Sequence, residues 1–154
     1  MRSINLVKIF LLTFSAFFLC GCGEVIRTEA NGRSSKQFVD LLQAGWFPAE
    51  LTVDFYSLTS VHDLDTSLAL GVFYLVHNDL SEFRNQLIPF SNIPTAPNRR
   101  IRKKNKEFEE HFSTQSSRVV ESFKLVDHEA EWIILLIDSE VVLYWNRETC
   151  TGQT

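Results

Sequence analysis

From Ile9 to Leu19 the chain is apolar at nearly every position, and beyond that run its hydrophobic residues fall into periodic patterns. Ser34-Ser35 offer an N-cap, and Phe38, Leu41 and Leu42 recur at i, i+3 and i+4, which predicts a helix over 36–43 stopped by Gly45. Leu51, Val53 and Phe55 alternate with Thr52, Asp54 and Tyr56, which predicts a strand over 51–58. Residues 60–65 read as a connection. Thr66 to Val76 is rich in β-branched and aromatic residues and predicts a second strand, antiparallel to the first. Gly71 inside it marks a bulge or a close backbone approach. Asn78-Asp79 can cap a helix to about Leu87, with Leu80, Phe83 and Leu87 inward and Pro89 beyond the end. The segment from Ile88 to Asn98 holds three prolines and reads as irregular. Phe108 and Phe112, four apart, predict a short helix over 104–113.

The last third reads as β. Val119 to Asp127 alternates weakly, and Val141 to Trp145 forms a final strand. Trp132 to Ile137 is apolar at every position, which suits a central strand covered on both sides. Asp138-Ser139-Glu140 is a turn between them, so the three strands form a meander. The order α-β-β-α-(α)-β-β-β predicts an α+β fold: a single small domain, with an antiparallel sheet of about five strands and two or three short helices on one face.

The N-terminal run changes where such a domain is expected to sit. Arg2 and Lys8 form a basic n-region, Ile9 to Leu19 an apolar h-region, and Leu19-Cys20-Gly21-Cys22 closes it. The run is short of the roughly 20 apolar residues of a membrane span and has signal-peptide architecture. The tetrad resembles the lipobox of bacterial lipoproteins, with Leu at −3 and Gly at −1 before Cys22; Cys20 at −2 departs from the commoner Ala or Ser. The resemblance covers about the first two dozen residues. It implies cleavage before Cys22, acylation of Cys22 and a membrane anchor facing the periplasm or cell exterior. Gly23 at +2, rather than Asp, implies outer-membrane sorting in a Gram-negative host. The division expected is signal peptide 1–21, tether 22–33, domain 34–148 and tail 149–154.

Without residues 1–21 the chain has 133 residues, 13 basic and 19 acidic, a net charge of −6. That length can bury a core without covalent staples, and the acidic balance argues against a general nucleic-acid binder. Only Cys150 remains as a thiol, open to pairing with another chain or to staying free near the C-terminus.

Six of the eight residues from Arg99 to Lys106 are cationic: Arg99, Arg100, Arg102, Lys103, Lys104 and Lys106. Their functional reading is a patch for anionic surface groups; the alternative is a solvated loop balanced by Glu107, Glu109 and Glu110. His62, Asp63 and Asp65 sit close together, but turns use the same residues and no second His stands at ligand spacing, so no metal is expected. His77 lies beside a helix cap, and His111 and His128 read as exposed side chains. Trp132, Tyr144 and Trp145 read as core. Trp46-Phe47 reads as core, or as a binding anchor if exposed. No nucleophile elbow or phosphate-cradling glycine loop is present, so no catalytic residue and no cofactor are expected. The sequence thus predicts a lipid-anchored, non-catalytic binding module. Its partner would be an envelope protein, a toxin that it neutralises, or an anionic surface component. The alternative is a small envelope hydrolase whose site is assembled from residues distant in sequence.

Overall fold

Hydrogen bonding organises the chain around a seven-stranded antiparallel sheet in the computed structural model, which describes residues 24–76, 79–91, 95–118, 120–127 and 130–147. Strand β1 (Val25–Ala30) is followed by α1 (Lys36–Gln43), β2 (Phe55–Asp63) and β3 (Leu68–Leu75). Next come α2 (Leu80–Asn85), the two-residue β4 (Ile88–Pro89), α3 (Arg99–Arg102) and α4 (Lys106–Thr114). A short 3₁₀ turn leads into β5 (Val120–Asp127), β6 (Ala130–Ile137) and β7 (Val141–Asn146). The spatial order is β1-β2-β3-β7-β6-β5-β4. An N-terminal half, β1 to β3, and a C-terminal meander, β5 to β7, are joined where β3 pairs with β7.

Local chemistry accounts for the helix starts. Ser35 Oγ accepts from the Phe38 amide at 3.3 Å and caps α1, while Gly45 ends the turn at φ +73°. Asn105 is fully buried; its Oδ1 caps α4 at the Phe108 amide and its Nδ2 donates to the Thr59 carbonyl, both at 3.1 Å. Asp79 occupies the N-cap position of α2 but makes no side-chain capping bond. The β6–β7 hairpin turns through Asp138 and Ser139, both at positive φ, the conformation that matches the right-handed strand twist.

Each face of the sheet carries its own core. Face A buries Phe38, Leu41, Phe47, Phe55, Phe73, Phe83, Trp132 and Tyr144, covered by α1, the 44–54 segment and α2. Face B buries Val61, Leu70, Val72, Ile101, Phe108, Ile133, Leu135 and Trp145 beneath α3 and α4. Tyr144 lies in a row that runs Thr28, Ser60, Gly71, Tyr144, Ile134, Phe123 across the sheet. A Cβ on Gly71 would come 2.5 Å from the Tyr144 ring, so only glycine lets the ring lie there. This is the close approach expected for Gly71, and the α1 helix, the β2–β3 pairing and the C-terminal meander agree with the sequence as well.

Four expectations are corrected. Among the described residues the sheet has seven strands rather than about five, with four helices. Those helices cover both faces rather than one, because β6 is apolar on both sides and each side needs a cover. The described part of the expected tether contains β1, paired to β2 from Val25↔Asp63 to Ala30↔Leu58. Arg33, just beyond it, donates to the carbonyls of Leu51 at 2.8 Å and Val53 at 3.3 Å. Those carbonyls belong to an irregular segment, so β2 begins at Phe55 and runs through His62 and Asp63, where a connection was expected. The segments expected as signal peptide and tail, with Cys22, His77, Asn78, His128 and Cys150, lie outside the described residues.

Candidate functional site

Polar chemistry converges on face B, where α4 crosses β3. Glu107 and His111 are four apart on α4, so both point at the sheet beside the packed Phe108. The Tyr74 hydroxyl lies 2.7 Å from Glu107 Oε1 and 3.0 Å from His111 Nε2. Thr59 Oγ1 donates to the other Glu107 oxygen at 3.0 Å. On the far side, Arg118 Nη1 lies 2.9 Å from His111 Nδ1, and Arg118 Nε pairs with Asp138 in the β6–β7 turn.

These contacts determine every proton in the chain. A guanidinium only donates, so His111 Nδ1 must accept from Arg118. The neutral ring then carries its proton on Nε2 and donates it to the Tyr74 oxygen. Tyr74 in turn donates to the Glu107 carboxylate. Burial lowers the His111 pKa, the Arg118 charge lowers it further, and Glu107, Glu110 and Asp138 oppose. Burial raises the Tyr74 pKa, and its bond to Glu107 adds to that. Thr59, Glu107, Tyr74, His111, Arg118 and Asp138 thus hand hydrogen bonds to one another across two strands, a helix and a turn. His111, expected as an exposed side chain, is a half-buried member of this chain. The i, i+4 spacing of Glu107 and His111 was the signal for it.

The cationic run divides in two. Arg102 turns inward: its guanidinium sits 4.5 Å above the Phe112 ring and 3.4 Å from Glu109 Oε2. Arg102 therefore leaves the expected anion-binding set. Arg99, Arg100, Lys103, Lys104 and Lys106 remain exposed around the buried Ile101 and Asn105. The run is not the plain loop of the alternative reading, since Asn98 Oδ1 caps α3 at the Arg100 amide, 2.8 Å away.

His62, Asp63 and Asp65 do not gather into a metal site. Asp63 Oδ1 accepts from the Asp65 amide at 3.0 Å, a turn bond, and Asp65 is exposed. Among the described residues no group of three His, Cys, Asp or Glu side chains could hold a metal. The His62 ring is buried in contact with Trp46, and burial lowers its pKa to about 4 against the opposing charge of Asp63. Phe47 is core; its ring packs edge-on to Phe38 and Tyr144 at 5.1 Å. Surface cavities of about 510 Å³ beside Trp145 and Arg147 and about 380 Å³ beside Arg27 and Trp46 contain none of the polar chain.

No protein-family model matches the chain, no curated protein sequence matches it, and no solved structure matches it.

Proposed function

We propose that this chain is a lipid-anchored protein of a bacterial envelope whose domain acts by binding rather than by catalysis. The observation that carries the reading is Leu19-Cys20-Gly21-Cys22 at the end of an apolar run with a basic start. Several acyl chains on Cys22 would hold the domain stably, where one alone binds only marginally. The polar chain on face B supports the non-catalytic half of the proposal. His111 has both ring nitrogens engaged and both Glu107 oxygens accept bonds, so neither is set up as a free base. Binding partners fall among envelope proteins, toxins and anionic surface components, and Gly23 after Cys22 favours the outer membrane in a Gram-negative host.

The test is intact-mass analysis of the protein purified from host envelopes, together with Cys22→Ser. The mature wild-type protein should begin at Cys22 and carry acyl mass. Cys22→Ser should accumulate as uncleaved, unacylated precursor. Release of an unacylated mature protein from both would overturn the anchor. Affinity capture with the full-length protein then addresses the binding half: stoichiometric recovery of one envelope component supports it, and turnover of a substrate by the purified protein refutes it.

A further inference from the structure

We infer that the exposed face of α3 and the turn after it docks onto anionic phospholipid headgroups of the membrane that holds Cys22. The inference rests on the anchor proposed above and adds an orientation to it.

The first ground is charge left over after pairing. The nearby glutamates could neutralise the run, but two of the three are already engaged. Glu107 faces the sheet and accepts from Tyr74 and Thr59, and Glu109 pairs with Arg102. Glu110 is the exposed carboxylate that remains on α4. Among the described residues, Arg99, Arg100, Lys103, Lys104 and Lys106 have no carboxylate partner. A local excess of cations therefore survives on a chain that, from Cys22 onward, carries a net charge of −6.

The second ground is rigid presentation. Ile101 is packed in the face B core and Asn105 is bonded to β2, so the backbone between the five cations is held at two points. Side chains fixed on one ridge lose less freedom on meeting a charged plane than side chains on a loose loop.

Placement supplies the third ground. Val25 opens β1 opposite Asp63, and Asp63 is in turn opposite Leu68. Leu68 lines a cavity together with Asn98, the cap of α3. The cationic segment therefore starts at the end of the sheet where β1 begins. Cys22 precedes Val25 by three residues, a reach of at most about 10 Å. Leu68 stands two strands from Val25, about 10 Å further on, so an acylated Cys22 holds this end of the sheet near the surface and lets α3 meet it once the domain leans that way. Glu24 and Asp65 are exposed at the same end and would be repelled. They confine the contact to the α3 face rather than the tip of the sheet.

The experiment is amine acetylation footprinting of the full-length acylated protein in vesicles. One set is pure phosphatidylcholine and the other contains about 30% phosphatidylglycerol. Labelling of Lys103, Lys104 and Lys106 should fall about fivefold on the anionic vesicles at about 50 mM salt and recover at about 500 mM. Lys36 on α1, with its side chain 82% exposed, is the internal control and should not change. Reversal of Arg99, Arg100 and Lys103 to Glu spares Ile101 and Asn105 and should abolish the protection of Lys104 and Lys106. Equal labelling on both vesicle types, or protection that ignores salt, overturns the docking face. Intact mass from the same samples reports acylation, so failure of the anchor and failure of the docking are read separately.

Discussion

The two faces of one sheet treat a tyrosine hydroxyl in opposite ways, although face B too leaves Arg102 Nε and Glu109 Oε2 without a hydrogen-bond partner among the described residues. Face A closes on aromatic rings, and the hydroxyl of Tyr144, Nε1 of Trp132 and Nε2 of His62 find no hydrogen-bond partner among the described residues. Ser60 lies in the row beside Tyr144, but its Oγ is directed at the Leu70 carbonyl, 3.5 Å away. Face B half-buries Tyr74 on the strand next to β7, and there the hydroxyl bonds both Glu107 and His111. An unpaired buried polar atom costs roughly 1–3 kcal/mol, so the same side chain burdens one face and holds the other together. Face A is specified by ring shape. Face B is specified by the order in which protons are donated.

The largest test of that contrast is steric. Gly71→Val should destabilise the fold by about 3 kcal/mol in urea unfolding, because the added carbons meet a ring that is itself fully buried. Tyr144 is also packed by Phe47, Phe73 and Trp132, which leaves it little room to move. A loss well under 1 kcal/mol would mean that the aromatic face yields and is not set by shape.

A smaller and sharper test substitutes the two tyrosines. Tyr74→Phe should cost about 2 kcal/mol, since Glu107 and His111 would each lose a partner in a partly buried site. Tyr144→Phe should leave stability within about 0.5 kcal/mol of the parent or raise it, since the one polar neighbour of its hydroxyl, Ser60, is out of good bonding geometry and directed at Leu70 instead. Equal losses from both would erase the distinction between the faces.

Face A was the more legible of the two in the sequence. Periodicity over 36–43 found α1, Ser35 and Gly45 marked its ends, and Gly71 announced a close approach. Each depends on local spacing or on one residue's conformational freedom. Strand β1 was hidden because Val25-Ile26-Arg27-Thr28-Glu29-Ala30 carries an edge strand's charges, and pairing with β2 outweighs its polar look. The start of β2 was misplaced because Leu51 and Val53 alternate like a strand, yet they are buried by packing while Arg33 takes their carbonyls. His62 and Asp63 look like loop residues and are buried in β2. The polar chain of face B joins residues from position 59 to position 138, so spacing could reveal only its Glu107–His111 step. Arg102 turned inward for the same kind of reason, since Phe112 and Glu109 face it only after the chain folds back into α4.

The finest test concerns protons, because burial depresses the pKa of a histidine on each face and a second cause acts on only one of them. His62 on face A is lowered to about 4 by burial alone, with Asp63 opposing. On face B burial acts first on His111, and Arg118 then adds its charge, with Glu107, Glu110 and Asp138 opposing. Below pH about 6.5 the unfolded chain binds protons that these folded rings refuse, so both destabilise the fold as pH falls towards the folded pKa. Arg118→Met should separate them. It removes the donor to Nδ1 and one cause of the depression, at a cost of about 1 kcal/mol at neutral pH. The His111 titration midpoint, followed by proton NMR of its ring, should then move up while that of His62 stays put. A His111 midpoint that fails to rise would mean that Arg118 does not donate to Nδ1. The ring would then be free to carry its proton there, and the one-way order of donors on face B would be lost.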